Sequence, residues 1–220
     1  MEIYNIRKSY GKNAVLECVS FDLEPGSCVG ILGGNGSGKS TLMGILAGII
    51  KPDGGVFEKD GVDLLKDCAK HRKIVGYVPQ MPPLIEELSV RDNLRLWYDS
   101  KALKKELCGG VLSMLGIDVF LNTSVKKLSG GMKKRVSIGC SVAHSPDILL
   151  LDEPGAALDL VCKDAISKYL TLLKKMGKTV LISTHDVQEI AICDKLFILK
   201  NGKLTPYIFD GDIHRLAGLL

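Results

Sequence analysis

Apolar residues along this chain come in two forms, short continuous runs and stripes at helical spacing, and the two forms alternate. Glu2 to Ile6 has strand character, and Val19-Ser20-Phe21-Asp22-Leu23 alternates with period two, as a half-buried strand does. Lys8-Ser9-Tyr10-Gly11 between them predicts a turn, and Glu24-Pro25-Gly26 predicts a second. Ser27 to Leu32, Ile74 to Val78, Ile148 to Leu151 and Thr179 to Ser183 are the short apolar runs expected of buried parallel strands. Helical spacing is seen in Leu42 to Gly48 and Leu64 to His71. It recurs in Leu158, Cys162, Ala165, Ile166, Tyr169, Leu170 and Leu173, a stripe that Gly177 stops. Lys51-Pro52-Asp53-Gly54-Gly55 breaks the chain before Val56-Phe57-Glu58, one half of a small hairpin. Lys195 to Lys200 and the residues from Lys203 form another hairpin about Asn201-Gly202, a dipeptide that favours tight hairpin turns.

From Met81 to about Ser129 the strand pattern disappears. Ser89-Val90-Arg91-Asp92-Asn93 is a capped helix start, and Ala102 to Leu115 carries a helical stripe ended by Gly116. Ser129 then opens a helix to about His144. Strand–helix alternation predicts the α/β class: a mostly parallel sheet with helices on both faces, plus a small antiparallel β part and an inserted helical lobe. The expected organisation is a single domain over residues 1–220, with a core at about 1–85 and 135–220 and the lobe at about 86–134.

Composition narrows the class. With 220 residues and 46% hydrophobic content the chain can bury a full core. Its net charge of +4 is modest and its lysines are scattered, so no nucleic-acid partner is expected. The cysteines are far apart with no Cys-x-x-Cys, which predicts reduced thiols in a cytoplasmic protein. No apolar run approaches the roughly 20 residues that cross a bilayer, and no secretory leader is expected.

Chemistry concentrates at the ends of the apolar runs. Gly33-Gly34-Asn35-Gly36-Ser37-Gly38-Lys39-Ser40-Thr41 lies between a predicted strand and a predicted helix, the context a phosphate-binding loop requires. Its glycines let backbone N–H groups turn inward, and the helix adds roughly half a positive charge at its N-terminus. Lys39 would reach the β- and γ-phosphates and the Ser40 hydroxyl would ligate Mg²⁺. Asp152 and Glu153 follow another run. Asp152 would hold Mg²⁺ through its water shell, and Glu153 would polarise the attacking water. Gln80 ends a third run, with an amide for the same ion or water, and His185 ends a fourth, suited to a γ-phosphate contact. Ser129-Gly130-Gly131 at a helix start forms a second anion site. One nucleotide does not easily use two such helix starts from separate lobes, so a head-to-tail pair of chains is expected.

Together these motifs resemble the nucleotide-binding subunit of an ABC transporter, in order and spacing and over essentially the whole chain. The resemblance implies a P-loop NTPase core of RecA-like type. It implies that Tyr10 stacks on adenine, that Gly33 to Thr41 is the Walker A loop, and that Gln80 is the Q-loop residue. Ser129 to Met132 is then the signature, Asp152 and Glu153 are Walker B with the catalytic base, Asp159 belongs to the D-loop and His185 is the switch histidine. ATP and Mg²⁺ are the implied cofactors. The implied partners are a transmembrane permease and a second ATPase subunit, identical or not, at the cytoplasmic face of the membrane.

Two departures stand out. Met132 replaces the common Gln of the signature, a form that leans towards exporters, and Gly155-Ala156-Ala157 stands where Thr-Ser-Gly is more usual. The chain ends soon after its last hairpin, so no regulatory C-terminal domain is expected. The rival reading is a non-transport family member acting on DNA or ribosomes, but the long coiled-coil or zinc insertions of that class are not seen. A sensor without turnover is disfavoured by Glu153 and His185. For permease docking the expected surface is Met81-Pro82-Pro83-Leu84-Ile85, with Leu84 and Ile85 exposed, next to the helix carrying Leu94, Leu96, Trp97 and Tyr98.

Overall fold

The computed structural model describes residues 1–156 and 158–220. In chain order the elements are β1 (Glu2–Tyr10), β2 (Asn13–Asp22), β3 (Cys28–Leu32), α1 (Lys39–Leu46), β4 (Gly54–Lys59), β5 (Val62–Asp63), α2 (Cys68–Ile74) and β6 (Val75–Val78). The middle of the chain is helical, with α3 (Val90–Arg95), α4 (Ser100–Leu107), α5 (Val111–Met114) and α6 (Gly130–Ser141). After these come β7 (Ile148–Asp152), α7 (Leu160–Lys175), β8 (Thr179–Ser183), α8 (Val187–Ile190), β9 (Lys195–Lys200), β10 (Lys203–Tyr207) and α9 (Ile213–Leu219). Among the described residues no helix is long and apolar enough to cross a membrane.

The main sheet has the order β10-β9-β3-β8-β7-β6. Five of its strands run parallel, and only β10 is antiparallel. β1, β2, β4 and β5 form a separate antiparallel sheet. Strand residues alternate between faces, so the apolar runs feed two cores. Leu149, Leu151, Val180 and Ile182 face α7 and the helical segment. Ile148, Leu150, Leu181, Val29 and Ile31 face α1 and the antiparallel sheet. Burial on both faces explains why these strands read as continuous apolar runs.

The helical segment does not carry a core of its own. Leu94, Leu103, Leu112 and Ile117 pack into the same cluster as Val78, Leu149 and Leu151 of the sheet. The single helix expected over Ala102 to Leu115 is two helices, α4 and α5. The chain turns at Gly109, at φ +117°, and the Glu106 carboxylate accepts from the Val111 N–H at 2.8 Å to restart the helix. The apolar stripe spans the break because Leu103 and Leu112 are buried on either side of it. Asp99 caps α4, accepting from the Lys101 and Ala102 N–H groups, an interaction typically worth about 1 kcal/mol.

Three local expectations shift. β1 continues to Tyr10 and the turn falls at Gly11, because Asp53 holds both the Lys8 amine and the Ser9 N–H. The helix expected at Leu64 to His71 is α2, which Asp67 caps and which takes in Ile74. The stripe expected from Leu158 becomes helical only at Leu160, where Asp159 caps α7.

Candidate functional site

Parallel register brings the ends of four strands to one edge. Ile31 lies opposite Ser183, Ser183 opposite Asp152, and Leu151 opposite Val78. The segments that follow β3, β8, β7 and β6 therefore leave the sheet side by side. They are the glycine-rich loop, His185, Glu153 and Gln80, and sheets of this type bind ligands at that edge.

The loop is shaped by backbone freedom and close approach. Gly38 sits at φ +104°, where a side chain would be strained and its Cβ would meet Val15 at about 3.0 Å. A Cβ on Gly33 would meet Ser37 Oγ at 2.5 Å and the Leu199 carbonyl at 2.6 Å. Ser37 Oγ is buried without a hydrogen-bond partner, an unsatisfied polar atom inside the loop. Lys39, the first residue of α1, is 5% exposed, and its Nζ donates to the Gly33 and Gly34 carbonyls at 2.7 and 3.1 Å. Asn35 to Thr41, with Val15, Gln80 and Glu153, line a cleft of about 470 Å³.

Glu153 is where these groups meet. Its Oε1 lies 3.6 Å from Lys39 Nζ and 3.9 Å from His185 Nδ1, while Gln80 Nε2 donates to its Oε2 at 2.9 Å. Glu153 has φ +44°, a left-handed conformation that costs a non-glycine residue roughly 1–2 kcal/mol. The conformation is held by the Glu153 N–H, which donates to the Ser183 carbonyl at 3.0 Å and to Ser183 Oγ at 3.1 Å. Asp152 points into the protein and is 2% exposed, and Ser183 Oγ donates to its Oδ1.

Lys39, Gln80, Glu153 and His185 thus form one cluster, with Asp152 behind it. The candidates beyond the glycine-rich loop and this cluster, Tyr10, Ser129, Gly130, Gly131 and Asp159, stand outside the cleft lining. Ser129 caps α6 by accepting from the Met132 N–H at 3.2 Å, with Ser129 and Gly130 exposed and Gly131 packed against Cys162. Asp159 caps α7 by accepting from the Cys162 N–H. Tyr10 is half exposed at the end of β1, with Lys8 Nζ 5.3 Å from its ring centre. Of the Gly155-Ala156-Ala157 departure, Ala157 lies outside the described residues. The expected docking surface divides: Leu94 and Tyr98 are core residues and Leu84 is partly buried against that core, whereas Met81, Ile85, Leu96 and Trp97 are exposed.

Three further residues, Ser183, Lys134 and Glu189, shape the site without a strong signal in the sequence. Ser183 orients both carboxylates, and its only signal is its position at the end of an apolar run. Lys134 sits in Lys133-Lys134-Arg135, which reads as a solvated basic stretch. It is nevertheless 3% exposed, donating to the Pro79 and Gln80 carbonyls at 2.9 Å each, and burial lowers its amine to about 8. Glu189 is buried in α8, and desolvation raises its carboxyl to about 7.

Residues 16–156 match the family model described as ABC transporter. The linearmycin resistance ATP-binding protein of Bacillus subtilis (strain 168) is 32% identical over 224 residues, covering 99% of this chain and 72% of that protein. The Nod factor export ATP-binding protein I of Rhizobium etli is 34% identical over 242 residues, covering 100% of this chain and 77% of that protein. Among solved structures, the post-hydrolysis dimer of an ATP-binding cassette bound to ADP and phosphate superposes with a TM-score of 0.84 at 29% identity. It covers 96% of this chain and 99% of that one.

Proposed function

The chain belongs to the ABC transporter family, and from that premise we propose how its residues bind and hydrolyse ATP and couple hydrolysis to transport. It is an ATP-binding, ATP-hydrolysing subunit of a transporter, with the cassette fold. The rival role on DNA or ribosomes finds no support among the relatives named above.

The loop fits a polyphosphate. It supplies inward backbone donors, the ammonium of Lys39 and the orphan Ser37 Oγ, a donor lacking an acceptor. On arrival of the nucleotide, Lys39 exchanges the Gly33 and Gly34 carbonyls for phosphate oxygens. The donor set next to it also fits Mg²⁺, being all oxygen: the Ser40 hydroxyl, the Asp152 carboxylate and the Gln80 amide oxygen, whose NH₂ is already turned to Glu153. When bound, the ion would neutralise charge on the β- and γ-phosphates.

Glu153 is the general base. Its carboxylate accepts a proton from water as the water oxygen bonds to the γ-phosphorus and the bond to the β-phosphate oxygen breaks. Gln80 holds Oε2, leaving Oε1 towards Lys39 and His185. The observation that carries this assignment is the convergence of all three side chains on one carboxylate. His185 is 60% exposed at its side chain, suited to a γ-phosphate contact that forms with substrate.

Ser129, Gly130 and Gly131, and Asp159 with them, act on the nucleotide of a second chain in a head-to-tail dimer, because they stand outside this chain's cleft. Tyr10 faces the adenine. The partner in the membrane is a permease that takes up Met81, Ile85, Leu96 and Trp97 at the cytoplasmic face. Export is the favoured direction, in keeping with the names of the relatives. The inserted lobe is the helical segment at about 86–134, tied to the core by Lys134, whose amine holds the backbone at Gln80.

Glu153→Gln tests the base. It keeps shape and the contact with Gln80 but removes basicity, so hydrolysis should fall about 10²- to 10⁴-fold. ATP binding should survive, and a dimer should persist in size-exclusion chromatography with ATP but not with ADP. Hydrolysis at the wild-type rate would exclude Glu153 as the base.

A further inference from the structure

Helix α8 carries a carboxylate for which the hydrolytic chemistry has no use. Glu189 is only 8% exposed and turns inward to meet two loops at once. Thr184 Oγ1 donates to its Oε2, and the same carboxylate lies against the backbone at Gly155. Thr184 directly precedes His185, and Gly155 lies two residues beyond Glu153. The Asp186 N–H donates to Thr184 Oγ1 at 2.9 Å, and Asp186 is paired with Lys163 of α7. The turn carrying His185 is therefore anchored on both sides of the histidine.

Gly155 completes the picture. It is absent from the glycines held at positive φ, so its backbone does not demand glycine. A Cβ at that position would instead meet Glu189 Oε1 at 2.4 Å, Cδ at 3.1 Å and Oε2 at 3.8 Å, so its three nearest neighbours all belong to one carboxyl group. The departure noted at this position thus has a partner 34 residues away in sequence, as the numbering 155 and 189 shows.

We propose that Glu189 is a positioning residue for ATP hydrolysis. It clamps the loop carrying Glu153 to the loop carrying His185, and position 155 is glycine so that the clamp can close on the backbone. The proposal rests on the roles given above to Glu153 and His185. Glu189 sets the relation between Glu153 Oε1 and His185 Nδ1 without lining the nucleotide cleft. Its loss acts on turnover and spares ATP binding.

Steady-state hydrolysis by the purified full chain, with ATP binding measured by fluorescence of a labelled analogue, tests this. Glu189→Ala should lower kcat about ten- to a hundredfold, as small misplacements of reacting groups do, with KM for ATP within about twofold. Glu189→Gln should recover kcat to within about threefold of wild type, since its amide has the shape of the carboxyl group beside Gly155 and its NH₂ can donate to Thr184 Oγ1. Gly155→Ala should lose kcat in the wild-type background and add little further loss to Glu189→Ala, because the nearest obstacle to the new methyl group is then gone. The clamp is overturned if Glu189→Ala keeps kcat within twofold, if KM rises in step with the loss of kcat, or if Gly155→Ala is equally damaging in both backgrounds. Should Glu189→Ala fail to fold, Glu189→Gln and Gly155→Ala decide: an active Gln variant with an inactive, ATP-binding Gly155→Ala supports the clamp, and the reverse overturns it. Glu153→Gln run in parallel separates the two readings, since its continued activity would sink the base assignment and not the clamp.

Discussion

Ser183→Ala isolates one hydroxyl that serves both residues proposed above to act in hydrolysis, Asp152 and Glu153. Ser183 is fully buried, and its Oγ donates to Asp152 Oδ1 while accepting from the Glu153 N–H at 3.1 Å. A hydrogen bond to an ionised carboxylate contributes about 1.5–3 kcal/mol. The Glu153 N–H keeps its second acceptor, the Ser183 carbonyl at 3.0 Å, so that side of the loss is about 0.5 kcal/mol at most. Alanine retains Cβ, and the void left is one oxygen atom. The sum is about 1.5–3.5 kcal/mol, which for a chain of this size lowers Tm by roughly 3–14 °C. Urea unfolding should show a lower midpoint with an unchanged slope, the mark of a stability change without a change in exposed surface. Turnover should fall too, because Asp152 and the left-handed Glu153 both lose an anchor. A variant within about 0.5 kcal/mol of wild type and with unaltered kcat would refute the claim that Ser183 organises the site.

Two further outcomes are expected. Mixing chains that carry Lys39→Ala with chains that carry Ser129→Arg should restore some hydrolysis, since one composite site in the mixed dimer is intact; an active Ser129→Arg homodimer would contradict a site shared between chains. Stability should also depend on pH through Glu189, whose carboxyl burial raises from 4.5 to about 7. The folded state then binds more protons than the unfolded state between those values, so stability falls as pH rises through the window, by on the order of 3 kcal/mol. The charged groups that face it are Asp186, Lys163 and Lys134. Glu189→Gln removes this slope while leaving those of other groups, so unfolding curves for the two proteins at pH 5 and pH 8 should diverge; parallel behaviour would show that Glu189 does not titrate there.

Much of this protein is local, and local features are legible in the order of residues. Continuous apolar runs marked the central strands because both faces of those strands are buried, and a phosphate-binding loop needs its glycines, lysine and serine at consecutive positions. The family resemblance rested on such stretches, and it is the family that the comparisons show. Tertiary packing decided the rest. The stripe from Ala102 to Leu115 contains the buried Leu103, Leu112 and Leu115 but is silent about the break at Gly109, because a side-chain stripe does not report backbone φ. Lys134 reads as one more exposed cation, and its role exists only because α6 crosses the backbone at Gln80. Leu94 and Trp97 lie on one short stretch, yet one is core and the other exposed, and the packing of α3 against α6 chose between them. Glu189 and Gly155 are the clearest case. Nothing in either segment alone asks for the other, and the reason for that glycine is a carboxylate brought beside it by the parallel register of β7 and β8.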